Sequence, residues 1–387
     1  MAGASHRHVS DHLSELVEGV VADLEASKVI AVVDGMDLEP LNLGMVAAYY
    51  YVAYTTIELF AASAAPKTRL RGLVEILAAA SEYDALPVRP GEERAVERLL
   101  RHAPLALDAP RYTDPHTKVN ALLQAHISRS SLSADLARDR DEAVAKAPRL
   151  LQALVDVVAT SGWLAPALAA MELSQMLAQA RWAKDPPLLQ VPGLDAAAAA
   201  RCAAAGVETV FDLAEADAPA RRELLQLPDE GLAAAAAWLA RYPDVGVTHE
   251  LPGGARVAAG EPVTLAVALE REGEGAVGPA AAPRFPGRKD ENWWLVVGDP
   301  ATNALLAIKR VALGRRAKAK LEFVPPPGAA GRLELTLFLM CDAYLGADQE
   351  FPFELEIEAA DMDGAGGEAA DGGAGADAGD AAPMEAE

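Results

Sequence analysis

The sequence predicts a multidomain chain, helical first and β-stranded last: an all-α bundle, a small unit of paired short helices, and a β-sandwich. Three observations predict it. From Met45 to Trp182 apolar residues recur at helical spacing between short polar breaks. From Asp185 to Tyr242, Pro-containing turns alternate with short alanine-rich helices. After Tyr242 the pattern shifts to short alternating runs bounded by Gly, Pro, Asp and Asn. A length of 387 residues suits two or three domains, since a domain takes about 100–200 residues.

At the N-terminus, Leu13, Leu16, Val17, Val20, Val21 and Leu24 form an apolar stripe, predicting a helix from Ser10 to Lys28 with Ser10 as its cap. "VIAVVD" (Val29–Asp34) is a short β-like run, and "MDLEPLNLG" a loop. "MVAAYYYVAYTTIELFAAS" is apolar nearly all round, predicting one buried helix. Further helices are expected at Thr68–Ala80, Glu92–Arg101, Lys118–Arg129, Glu142–Ser161 and Leu164–Trp182. Pro148 should kink or bound the long one, with Leu136 in a separate turn before it. Six or so helices with short connections make a bundle.

"VPGLDAAAAARCAAAGV" and "LLQLPDEGLAAAAAWLARYP" share a plan of turn then helix. That plan resembles helix-hairpin-helix modules, which can place backbone N–H groups on a phosphate. Seven strand-like runs follow, from "VGVTHELP" to "QEFPFELEIEA". Their spacing suggests an immunoglobulin-like (fibronectin-III/C2-like) sandwich. The expected units are 1–35, 36–184 (bundle), 185–243 (helix-hairpin-helix), 244–360 (sandwich) and 361–387. The last holds eight acids, no Lys or Arg and no core-forming run. It is expected to be disordered.

Formal net charge is −23. Without the eight acids of 361–387 the remainder still carries −15, so no global pull toward nucleic acid or anionic membrane is expected. Cys202 and Cys341 fall in different expected domains, which argues against a disulfide framework. No apolar run is long enough to span a membrane. The chain contains no GxxxxGK[ST] loop, DExH-type box, GxSxG or HExxH. A phosphate-hydrolysing motor needs such groups around its nucleotide. No catalytic residue, metal site or cofactor is therefore expected. His6, His8 and His12 cluster, but no further ligand follows at metal spacing, and a polar helix start accounts for them.

Arg149 and Gln152 share one side of the long helix before "SGW". They offer a nucleic-acid contact or a plain solvated face. Of Trp293 and Trp294, alternation should turn one inward and one outward, the outward one serving a protein partner or surface packing. Lys309, Arg310, Arg315, Arg316, Lys318 and Lys320 make the most basic stretch. A sheet edge blunted by lysine explains it better than a patch for RNA or an acidic partner.

"SHRHVSDHLSELVEGVVADLEASK", "LNLGMVAAYYYVAYTTIELF", "DPHTKVNALLQAHISR", "VDVVATSGWLAPALAAMELSQM", "GVETVFDL", "NWWLVVGD" and "LMCDAYLGADQEF" run in order along nearly the whole chain. Together they resemble the C-terminal Sec-63 homology unit of the large two-cassette spliceosomal RNA helicases of the U5 snRNP. The resemblance implies a helical bundle, a helix-loop-helix unit and an immunoglobulin-like domain. It also implies that the helix ending in "SGW" matches a ratchet helix facing RNA, with Arg149 and Gln152 on it. In that family the C-terminal cassette is regarded as a regulator and docking platform rather than an unwinding motor. The implied role is a non-enzymatic, nuclear module binding spliceosomal proteins and the helicase core cassettes, with weak contact to snRNA or pre-mRNA and none to membrane. A single-stranded RNA-gripping module is the alternative. The family's two motor domains do not appear in this sequence, and the helix from Ser10 would be the end of a winged helix. The namesake translocon component carries a J-domain and membrane spans, and neither is visible here.

Overall fold

The computed structural model describes residues 6–35, 37–273 and 277–358. The expected acidic tail and the side chains of His6 and His8 lie outside the described residues, while His12 is exposed. The first helix, α1 (His6–Ala26), already includes Ser10, which is therefore not its cap. A hairpin follows, β1 (Ile30–Val33) against β2 (Asp37–Pro40). The boundary expected after residue 35 cuts this hairpin, because "DLEP" pairs with "IAVV" rather than looping out.

The run expected to be one buried helix is two, α2 (Asn42–Tyr50) and α3 (Tyr54–Ser63). Tyr51 adopts φ 55° and caps α2 by donating its N–H to Ala47 and Ala48. This left-handed cap turns the chain, so Tyr49 and Tyr51 face solvent while Val46, Ala47 and Tyr50 pack inward. The bundle continues with α4 (Leu70–Ala78), α5 (Glu93–Arg101), α6 (Pro115–Ile127), α7 (Ala134–Thr160) and α8 (Leu164–Gln179). α7 begins eight residues earlier than expected and runs unbroken through Pro148. Leu136 is part of it, and Leu150, Leu151, Leu154 and Val155 beyond the proline are fully buried. Packing on both sides of Pro148 outweighs the cost of its missing N–H. Helix α8 is largely buried because it is the bundle's centre, enclosed by α4, α6, α7 and the sheet that holds β9.

After a 3-10 turn at Pro187–Gln190 come four short helices, α9 (Ala196–Ala204), α10 (Val210–Glu215), α11 (Ala218–Leu225) and α12 (Asp229–Leu239). The strands are β3 (Val245–Glu250), β4 (Arg256–Ala258), β5 (Val263–Arg271), β6 (Trp293–Asp299), β7 (Ala304–Val311), β8 (Arg316–Phe323), β9 (Gly331–Cys341) and β10 (Gln349–Glu358). One sheet runs β4-β10-β9-β6-β7 and the other β3-β5-β8. Strand β4, parallel to β10, is additional to the seven runs expected. Leu265, Val267 and Leu269 of β5 and Ala319 and Leu321 of β8 share one core with Trp293, Leu295 and Val297 of β6.

Every residue of β6 is buried, because its other face lies on the bundle. Trp294 and Val296 belong to the same core as Leu150 and Leu154 of α7. The approach is close enough that a Cβ on Gly298 would sit 2.6 Å from Leu164 Cδ1. At this seam Leu164 N–H donates to Asn303 O (3.1 Å), Leu305 N–H to Gly162 O (2.9 Å) and Ala165 N–H to Asn303 Oδ1 (2.7 Å).

A second seam closes on the loop between β9 and β10. From α8, Ser174 Oγ donates to Asp342 O (3.0 Å), Gln175 Nε2 to Cys341 O (2.8 Å) and Gln179 Nε2 to Ala343 O (2.8 Å). From the 3-10 turn, Gln190 donates to Leu345 O (2.8 Å) and accepts from Leu345 N–H (3.2 Å). Tyr242, after the short helices, donates to Leu345 O at 2.9 Å. The loop braces itself, since Asp348 accepts from Cys341 N–H (2.7 Å) and Asp342 from Lys289 Nζ (2.6 Å). All three stretches of the chain therefore meet on eight residues, Cys341 to Asp348. Both cysteines are buried free thiols.

Within the bundle, the buried His126 of α6 donates or accepts through Nε2 at Leu177 O (2.8 Å), and a carbonyl partner makes it the donor. Burial pushes its pKa down to about 4, opposed chiefly by the Leu177 hydrogen bond, with Arg140 and Arg129 adding to the depression and Asp141 opposing it. An unfolded histidine binds its proton near pH 6.5. Between these values the unfolded chain holds the extra proton, so stability is full above about pH 6.5 and falls as pH drops toward 4. Urea titrations from pH 7 to 4 should show this loss, and His126→Gln should remove much of its slope.

Candidate functional site

Helix α7 brings Arg149, Gln152 and Asp156 to one face, at spacings of three and four residues. Arg149 is exposed. Gln152 is half-buried, because Arg310 of β7 reaches over it and donates Nη2 to its backbone carbonyl (3.1 Å). The same Nη2 donates to Asp156 Oδ1 at 2.7 Å, while Tyr50 OH donates to Asp156 Oδ2 at 2.8 Å. The guanidinium stacks over the Tyr50 ring, 5.0 Å from its centroid. The structure thus brings Gln152 and Arg310 together, although the sequence placed them on separate surfaces. Arg149 alone of the α7 pair presents a free cationic side chain toward solvent.

Burial pushes the Asp156 carboxyl up to about 7 and the Arg310 guanidinium down to about 10. Desolvation thus works against both charges, while their 2.7 Å contact and the Tyr50 hydroxyl favour them. Arg310 stays charged at neutral pH because a guanidinium starts so far above it, with Tyr49 and Asp342 partly offsetting its burial.

Neither tryptophan is outward. Trp293 and Trp294 are 0% and 1% exposed. Alternation holds, with Trp293 between the two sheets and its Nε1 donating to Glu291 Oε1 (2.9 Å). The face expected to be solvent is instead covered by the bundle, and Trp294 packs there. Truncating a buried aromatic costs about 3–5 kcal/mol. Alanine at either position would therefore unfold before it could report on a partner.

The basic stretch divides. Arg310 is taken up at the junction as described. Arg316 pairs with Glu270 at 2.5 Å, and Arg315 Nη1 donates to Gly273 O at 2.9 Å. Lys309, Lys318 and Lys320 are exposed on β7 and β8, the terminal strands of the two sheets.

The short-helix unit offers little to phosphate. Asp195 caps α9 by accepting from Ala198 N–H, and Asp217 caps α11 by accepting from Ala220 N–H. Thr209 and Asp212 form a capping box on α10, and Asp229 and Glu230 open α12. One helix-start amide of α9, α10 and α11 is thus already taken by a side-chain oxygen, and the acids in the first turn of α12 oppose an anion there. Among the described residues no group of three or more His, Cys, Asp or Glu is placed to hold a metal ion, and no helix is long and apolar enough to cross a membrane.

The Sec63 Brl domain model matches residues 40–354. This chain belongs to that family. The match begins at the last residue of the β-hairpin and ends inside β10, so it takes in the bundle, the short helices and both sheets. Over 363 residues the chain is 51% identical to the "DExH-box ATP-dependent RNA helicase DExH12" of Arabidopsis thaliana, covering 92% of this chain and 17% of the relative. It is 49% identical over 363 residues to the human "U5 small nuclear ribonucleoprotein 200 kDa helicase", covering 94% of this chain and 17% of the relative. A Dictyostelium discoideum "Activating signal cointegrator 1 complex subunit 3-like" protein is 40% identical over 361 residues, covering 90% and 16%. The chain thus spans about a sixth of the length of these relatives.

Substituting Arg310 by Met should expose the weakness of the junction. Asp156 would keep its burial and lose its cation. Breaking a buried pair costs about 3–5 kcal/mol, and the lower end applies because about a quarter of each side chain sees water. A carboxyl whose folded pKa is raised favours folding below its unfolded pKa and loses that advantage as pH rises through the folded value. The loss in Arg310→Met should therefore be larger at pH 8 than at pH 5, measured by denaturant titration.

Proposed function

We propose that this chain acts as a non-catalytic regulatory and protein-docking module of a spliceosomal RNA helicase, in the nucleus and in pre-mRNA splicing. The observation that carries it is the identity near 50% over more than nine-tenths of the chain to one segment of such helicases. The paired sheets are an immunoglobulin-like sandwich, and residues 185–243 a helix-hairpin-helix unit. The bundle opens near residue 40, after the hairpin, rather than at 36. Partners are spliceosomal proteins and the helicase core cassettes. The exposed lysines of β7 and β8, with Arg315 and Arg316 beside them, are the partner-contact face. The seams fix that face relative to α7, so a protein bound at one could bear on the other. Trp293 and Trp294 support this face from within and do not touch the partner.

The second proposal is a grip on single-stranded RNA through α7. Arg149 favours it, being exposed on the helix implied to face RNA. Gln152 contributes less, with β7 lying over it. Acid-capped helix starts and a net charge of −23 weigh against high affinity, which needs several cationic contacts per strand.

Purified chain used as bait in nuclear extract, with and without RNase, separates the two. Splicing proteins retained after RNase, and reduced by Lys318→Glu with Lys320→Glu, are the expected result. Recovery that disappears on RNase treatment and on Arg149→Ala would overturn docking in favour of RNA gripping.

A further inference from the structure

The terminal strands β7 and β8 come together along one side of the sandwich. Lys309, Lys318 and Lys320 there line a cavity of about 560 Å³ whose floor includes Ala266 and Ala268 of β5. All three lysines are exposed, and none pairs with an acid among the described residues. Glu250 of β3 lines the cavity too, and Glu270 nearby is engaged by Arg316. Three cations without a direct ion pair thus stand together, with Glu250 the one acid among the described residues lining the same cavity, on a chain of net charge −23.

We infer that this basic trough is the docking site of the chain's own acidic segment, residues 361–387. Charge is the first argument. The segment carries eight carboxylates and no Lys or Arg. Shape is the second. Its other residues are nearly all Gly and Ala, and the trough floor is alanine, so an extended backbone can lie low enough to bring its carboxylates to the lysine heads. Reach is the third. Strand β10 ends at Glu358 beside β4, and β4 leads within five residues into β5, whose alanines form the floor. An extended chain covers about 3.3–3.6 Å per residue, so the segment has ample length to run along this side of the molecule.

The contact is a reversible one. Exposed ion pairs are worth about 0.2–1 kcal/mol each. Tethering compensates, because a covalent link over a few residues raises the local concentration into the millimolar range. A second copy of the chain would bring the same net negative charge and is repelled. The segment is therefore an intramolecular competitor that any anionic partner of this face must displace. This inference stands on the trough and the segment's composition and does not depend on the proposed splicing role.

Lysine acetylation by a water-soluble acylating reagent, mapped by mass spectrometry, tests it on the full chain. The comparison is a full-length variant with the eight tail acids changed to their amides (D361N, D363N, E368Q, D371N, D377N, D380N, E385Q and E387Q). Lys67 and Lys184, both exposed and remote in sequence, are internal standards. At low salt, Lys309, Lys318 and Lys320 should react several-fold more slowly in the natural chain than in the amide variant. The difference should vanish near 0.5 M salt, where screening is nearly complete. Equal rates in the two chains would overturn the inference. So would protection that persists in the amide variant, or protection that grows with protein concentration and so marks a second copy.

Discussion

The eight residues from Cys341 to Asp348 set the arrangement of everything else. A loop between two strands normally runs over the surface, where water satisfies its backbone. This one is buried, so its carbonyls need partners from the protein. Gln175, Gln179 and Gln190 supply them, each almost wholly buried itself. Burying these amides is tolerable only because each finds the loop, and burying the loop is tolerable only because it finds them. Gln179 Oε1 is the exception, with no hydrogen-bond partner. The requirement is mutual across the bundle, the short helices and the last sheet, so none of the three can shift without stranding polar groups in the others. Trp238, Tyr242 and Tyr344 pack against one another beside it, with ring centroids 5.4–5.6 Å apart, and exclude water from the same place.

Function follows from that constraint through strand β6. Held between the opposite sheet and the bundle, β6 hides both tryptophans and leaves the exposed chemistry to the periphery: Arg149 on α7, and the lysines on β7 and β8. The Arg310 pair ties these two regions together, since it joins β7 to α7 directly. Buried charges are committed to one another, as in the Arg271–Glu291 and Lys289–Asp342 pairs. Lys118, for instance, is fully buried, yet it is held by Glu92, Asp139 and the Pro87 carbonyl, each at 2.6 Å.

Much of this was legible in the sequence, and the remainder was not for physical reasons. Period identified the helices and strands, and the composition shift at Tyr242 marked where one gives way to the other. Local period says nothing about what covers a face. Alternation turns one of Trp293 and Trp294 outward, and only the bundle, far away in sequence, makes that face, occupied by Trp294, core. Arg310 reads as one of six basic residues, and only the 154-residue separation to Asp156 explains why it differs from Lys309 beside it. The split at Tyr51 was hidden because a left-handed tyrosine has no glycine to announce it. Pro148 misled in the opposite direction, since packing on both sides kept its helix intact. The buried glutamines look like ordinary polar positions on α8 and in the turn at Pro187–Gln190, and their role appears only when the loop they bind is in place.

Calorimetric unfolding of the natural chain and of a Gln175→Leu, Gln179→Leu, Gln190→Leu variant tests the central claim most directly. If the Cys341–Asp348 loop couples the units, the natural chain unfolds in one transition whose calorimetric and van't Hoff enthalpies agree. Stranding the loop carbonyls costs about 1–3 kcal/mol for each lost partner, and the variant should separate into two transitions. Two resolved transitions in the natural chain, or a single transition in the variant displaced by only a degree or two, would contradict it.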